Sequence, residues 1–192
     1  PMIIGTLHDD PEAHAELAEW CGIARVLHDL KGARIGHFGH PIEAMLDMHT
    51  DQTAMTAAFG LHVVQTELDD LVGAARTVTD AEIKAKEAEI LAMFDTPDPA
   101  SDPLTRKLTD ADLRSAARMA VALDDFVEAY DLDGLAYYYK GEPGSERESA
   151  AANLIVGNSL LCAAGFPMCG ESDLKTCVAM LIMDRLEIGG SF

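Results

Sequence analysis

Short apolar runs bounded by turn residues alternate along this chain with longer stretches of helical spacing, and this alternation restricts the fold more than any other feature. Residues 2–7 read as a buried strand, and Asp10-Pro11-Glu12 supplies a helix N-cap with proline in the first turn. Leu17, Trp20, Cys21, Ala24 and Leu27 recur at helical spacing and predict one apolar face, which Lys31-Gly32 ends. Residues 33–38 read as a second strand, completing a β-α-β unit. The stretch 41–59 reads as a loop or short helix followed by a helix closed by Gly60, and 61–66 as another strand. Thr79-Asp80-Ala81-Glu82 matches a capping box, and the helix it starts places Ile83, Ile90, Leu91 and Phe94 on one face.

A proline-rich loop at 96–103 separates this helix from the next, which Thr109 caps and whose Leu113, Ala116, Ala120, Leu123 and Val127 form a stripe. Residues 134–139 read as an aromatic strand, and Lys140-Gly141-Glu142-Pro143-Gly144-Ser145 as a turn-rich loop. Residues 146–164, small and apolar, read as one helix lying close against a sheet until Gly165-Phe166-Pro167 stops it. Strands alternating with helices imply a doubly wound α/β fold, Rossmann-like or flavodoxin-like, with a mainly parallel sheet covered on both faces and right-handed crossovers. At 192 residues with 48% apolar content, one domain spanning 1–192 is the expectation. Ligands of such a sheet bind at the carboxyl ends of its strands. No GxGxxG or Walker pattern supports a nucleotide there.

Thirty-three acidic against fourteen basic residues give a formal net charge of −19, which opposes nucleic-acid phosphates and anionic lipid surfaces; the expectation is no nucleic-acid and no membrane partner. The longest apolar run is too short to span a bilayer and the opening residues carry no basic leader, so the expected location is the cytoplasm. Cys21, Cys162, Cys169 and Cys177 form no CxxC pair and read as reduced thiols.

Chemistry concentrates in Cys169-Gly170-Glu171-Ser172-Asp173-Leu174-Lys175-Thr176-Cys177, just before an apolar stretch at 178–182. Ser172 or Asp173 caps a helix there, which leaves Glu171 at the loop mouth, where a carboxylate binds a divalent cation or takes a proton from a substrate carbon. The same carboxylates also serve simply to offset a helix dipole. His37-Phe38-Gly39-His40-Pro41 sets two imidazoles three residues apart, but a strand-to-loop turn does not hold such side chains together. Tyr137, Tyr138 and Tyr139 read as core packing before sugar stacking.

Gly170 to Thr176, followed by an apolar helix and Gly189-Gly190-Ser191-Phe192, resembles the glutamate-glycine-aspartate-tryptophan-lysine-threonine segment of L-arabinose isomerases and its downstream glycine-serine-phenylalanine. Serine stands at 172 for that family's glycine, and leucine at 174 for its tryptophan. Arg34-Ile35-Gly36-His37-Phe38-Gly39, Phe59-Gly60 and Leu68-Asp69-Asp70-Leu71, an acidic-leucine turn, echo the same family in the same order, and the chain is grouped with L-arabinose and L-fucose isomerase-like proteins.

The resemblance implies a metal-dependent aldose-ketose isomerase using a divalent ion, usually Mn2+, on a monosaccharide, an aldopentose or a deoxyhexose. It implies Glu171 as metal ligand and acid-base group, relaying a proton between C1 and C2 through an ene-diol. Phe38, His40 and Glu142 are implied as substrate-binding residues, and homo-oligomerisation is implied for the full-length protein. Histidine, threonine, aspartate and glutamine at 49–52 replace the family's threonine-glutamate-glycine-aspartate, which leaves the preferred sugar open. The family's second metal-binding glutamate and its two histidines lie beyond the position of Phe192, so the expectation is a central-domain fragment of a longer enzyme or a divergent protein without the activity. A non-enzymatic sugar-binding or sensing module on the same scaffold is the alternative.

Overall fold

The computed structural model describes residues 8–98 and 100–189, so the expected strand at 2–7 and the Gly190-Ser191-Phe192 match lie outside the described residues. Helix α1 (Pro11–Leu30) leads into β1 (Arg34–Gly39); α2 (Gln52–Phe59) connects it to β2 (His62–Gln65). Helices α3 (Leu68–Thr77), α4 (Asp80–Met93) and α5 (Asp110–Ala129) then return the chain to β3 (Gly134–Tyr138). Helices α6 (Glu146–Ala152) and α7 (Leu154–Ala163) precede β4 (Met168–Cys169), and α8 (Leu174–Arg185) follows it.

The four strands run parallel in the order β2-β1-β3-β4, a doubly wound α/β arrangement. Strand alternation divides the interior. Phe38, Leu135 and Met168 face a cluster built with α3, α5 and α6, whereas Ile35, Ala136 and Cys169 face one built with α1, α2 and α8. The chain leaves β1 toward β2 on one side and β3 toward β4 on the other, which makes the crevice between β1 and β3 the switch point of the sheet.

Local chemistry explains the helix boundaries. Thr79 and Thr109 form reciprocal capping boxes with Glu82 and Asp112, and Asp10 and Asp51 cap α1 and α2 through their carboxylates. Five features differ from the sequence expectation. Leu68 to Leu71 is not a turn but the start of α3, because Leu68, Leu71, Val72 and Ala75 form a buried helical stripe. The helix expected over 146–164 breaks at Asn153, whose side chain donates to the Ser149 carbonyl at 2.7 Å and competes with the regular ladder. Its second half lies mainly on α5 rather than on the sheet: a Cβ at Gly157 would stand 3.1 Å from the Ala120 Cα. On α4 only Ile83 and Ile90 of the expected stripe are buried, while Leu91 and Phe94 are exposed.

The fifth difference is in α1. Its buried residues are Ala13, Val26 and Leu30, whereas Leu17, Trp20, Cys21 and Leu27 are exposed, Leu27 at 57%. Of this helix only Val26 and Leu30, near its C-terminal end, join the core, while most of the face its periodicity selects stays exposed. The four cysteines are unpaired. Among the described residues no helix is long and apolar enough to cross a membrane.

Candidate functional site at the strand tips

Three loops meet over the β1/β3 crevice. The loop after β1 begins at Gly39, where φ of +79° lets the chain turn against the neighbouring strand, and the His40 amide donates to the Tyr138 carbonyl at 3.2 Å. This loop is held across the crevice by a 3.4 Å ion pair between Glu43 and Lys140, and by a hydrogen bond from the Lys175 ammonium to the Asp47 carbonyl.

The loop after β4 folds back over the same crevice. Glu171 and Ser172 are consecutive left-handed residues, with φ of 59° and 56°, and each non-glycine residue in that region costs about 1–2 kcal/mol. The conformation is held by three bonds. The Ser172 amide donates to the Tyr137 carbonyl at 3.1 Å, the Ser172 hydroxyl to the Phe38 carbonyl at 3.2 Å, and the Ile42 amide to the Glu171 carbonyl at 3.2 Å. Asp173 then caps α8, accepting from the Lys175 and Thr176 amides and from the Thr176 hydroxyl at 2.6 Å. Of the two cap candidates in the sequence, the structure uses the aspartate.

This elbow leaves the Glu171 side chain half-buried at the sheet's carboxyl edge, where it forms no hydrogen bond or ion pair with the described residues. It borders an open concavity of about 360 Å³ walled by Tyr137, Tyr138 and Tyr139, with Ala151, Ala152 and Ile155 on the α6–α7 side and Glu148 at its rim. That volume lies in the range of small-molecule sites, roughly 300–1,000 Å³. A second concavity of about 310 Å³ opens over the β1 and β2 tips between Gly39, Gln65, Thr66 and Arg147, and Tyr139 borders both.

The other sequence candidates occupy different settings. Phe38 is in the core at 1% exposure, edge-on to Phe126 and tilted against Tyr137, so its ring backs the tyrosine wall from beneath. His40 is half-buried on the crevice loop, T-shaped to Tyr138 with centroids 5.4 Å apart. Glu142 is exposed in the loop following β3 and borders neither concavity. The tyrosines, expected in the core, are only half-buried: Tyr137 packs on Phe38 and receives a 3.0 Å hydrogen bond from Asn158, and all three line the concavity. Glu148 and the α6–α7 residues opposite them carried no distinguishing pattern in the sequence.

Charge at the elbow reaches the neighbouring thiol: burial first, then the Asp173 and Glu171 carboxylates, push Cys169 up to about 12, so it stays protonated and unreactive at neutral pH. His37, 6% exposed beside the crevice, has Nδ1 3.2 Å from the Gln65 side-chain oxygen, and Gln65 in turn donates to Gln52 at 2.9 Å. Burial holds its imidazole below the ordinary 6.5, and the Gln65 contact opposes this in part. The unfolded chain therefore takes up this proton first as pH falls. The stability contributed by neutral His37 is complete above pH 6.5 and is lost as pH drops through the depressed folded value. In His37→Gln, that part of the acid-side decline in urea midpoint is expected to vanish; an unaltered decline contradicts the assignment.

The profile of the L-arabinose isomerase central domain matches residues 34–189, from the first residue of β1 to beyond α8. An L-arabinose isomerase of Nocardioides sp. is 27% identical over 188 residues, covering 96% of this chain. The chain spans only 36% of that relative's length.

Proposed function

This chain belongs to the L-arabinose isomerase central-domain family, and from that premise we propose that residues 1–192 form one α/β domain of a longer cytoplasmic aldose-ketose isomerase. Glu171 is its metal-binding and acid-base carboxylate, and the substrate is a monosaccharide, an aldopentose or a deoxyhexose. The supporting observation is the elbow after β4, which is pinned across the β1/β3 crevice and sets a carboxylate with no partner among the described residues beside an aromatic concavity at the β3 tip.

A half-buried carboxylate without a cationic partner among the described residues suits one position in the oxygen-rich shell of a hard divalent cation such as Mn2+. No group of three or more His, Cys, Asp or Glu side chains that could hold a metal occurs among the described residues, so the remaining ligands come from elsewhere in the longer protein. When bound, the ion supplies Lewis-acid polarisation of the sugar's carbonyl and hydroxyl oxygens. The chain's own residues do the rest. Glu171 accepts the proton from one carbon and returns it to the next. Tyr138 and Tyr139 offer aromatic faces to the C–H side of a sugar. His40, on the loop after β1, holds a hydroxyl group, and Phe38 keeps Tyr137 in place from below; Glu142, outside both concavities, contacts the sugar only from the rim of the loop after β3. Homo-oligomerisation of the full-length protein completes the proposal.

The test is turnover. The full-length gene product, supplied with Mn2+, is expected to convert an aldopentose or a deoxyhexose to its ketose, and to lose that conversion when the metal is chelated. Sugar affinity of the 192-residue chain without metal, combined with no conversion by the full-length product, supports a sugar-binding module instead.

A further inference from the structure

We propose that Ser172 is a positioning residue for Glu171, its hydroxyl offsetting the strain of a left-handed residue at a place where glycine would pay none. The inference rests on the reading of Glu171 as the metal-binding carboxylate. Phe38 and Tyr137 are register partners at the tips of β1 and β3. Ser172 bonds to both of their carbonyls, one through its amide and one through its hydroxyl, and so pins the elbow across the crevice. Any residue supplies the amide bond. Only the hydroxyl supplies the second, inside a site where Ser172 is 1% exposed.

The resemblance places glycine at this position, and φ of +56° shows why: glycine enters that region without a Cβ penalty. Serine carries the penalty and recovers it through the Phe38 carbonyl. Alanine carries the same penalty without the hydroxyl bond that offsets it. The damaging substitution is therefore Ser172→Ala, and the larger change in side chain, Ser172→Gly, is the tolerated one.

The experiment compares both variants in the full-length protein by Mn2+ calorimetry, kcat and KM for the aldose, and urea midpoint. Ser172→Ala is expected to lower Mn2+ affinity and kcat about tenfold, the scale on which outer partners of metal ligands act, with KM nearly unchanged. Ser172→Gly is expected to restore both to within about threefold of the parent. Parent-like values for Ser172→Ala, or values for Ser172→Gly as low as those of Ser172→Ala, overturn the proposal. Failure of the underlying reading has a different mark: Glu171→Gln would leave Mn2+ affinity and turnover untouched. The urea midpoints then decide the elbow alone, with Ser172→Ala lowest supporting the strain offset and Ser172→Ala equal to the parent overturning it.

Discussion

Replacing Gly39 with alanine is expected to lower the stability of the fold by about 3 kcal/mol or more, read as a fall in urea midpoint. Gly39 has φ of +79°, and a Cβ built there would stand 1.6 Å from the Tyr138 carbonyl oxygen, a backbone atom with no rotamer to escape into. The same carbonyl accepts from the His40 amide, so the tips of β1 and β3 must part for the methyl group to enter. Separation there also withdraws the Phe38 and Tyr137 carbonyls that hold the Glu171 elbow. Gly73→Ala in α3 is the matched control. A Cβ at Gly73 meets nothing within 4 Å, and alanine in a helix interior is favoured over glycine by up to about 1 kcal/mol, so the midpoint should hold or rise. Equal loss in the two variants would show that the tip geometry described here is wrong.

The second large effect is chemical. Glu171→Gln in the full-length protein is expected to reduce kcat by roughly 10²–10⁴-fold, the range associated with losing a general acid-base group. Its urea midpoint should change by no more than about 0.5 kcal/mol. The substitution keeps the size of the side chain and the backbone carbonyl that accepts from Ile42, and it removes a charge that has no partner among the described residues. Activity and stability therefore separate at this position. A large fall in stability would instead mark Glu171 as a structural residue of the loop.

The sheet and most helices were legible because their determinants are local. Thr79 with Glu82 and the cap residue Thr109 announce helix starts, and β1 and β3 are apolar runs between turn residues. Strand β4 was not legible. It has two residues, Met168 and Cys169, and exists only through pairing with Leu135 and Ala136 more than thirty positions earlier. The burial of α1 was misread because periodicity reports which apolar residues align, not how much of a helix reaches the core; only Val26 and Leu30, near its end, do, and Leu17 and Leu27 stay exposed.

At the site, Glu171 was readable as a loop-mouth carboxylate because Asp173 and the apolar run of α8 follow it. The device that aims it was not. Two left-handed residues in succession leave no trace in composition when neither is glycine, and the partners of Ser172 lie on other strands. The half-exposure of Tyr137, Tyr138 and Tyr139 was hidden for a related reason: strand residues at the carboxyl edge extend past the helices that cover the middle of the sheet, and sequence alone does not mark where that cover ends.

The most direct measurement is calorimetric titration of Mn2+ into the full-length protein, with and without the Glu171→Gln substitution. One ion per chain in the parent, with affinity reduced at least about tenfold in the variant, is the predicted result. Equal affinity in the two proteins would mean that the carboxylate at the strand tips holds no metal.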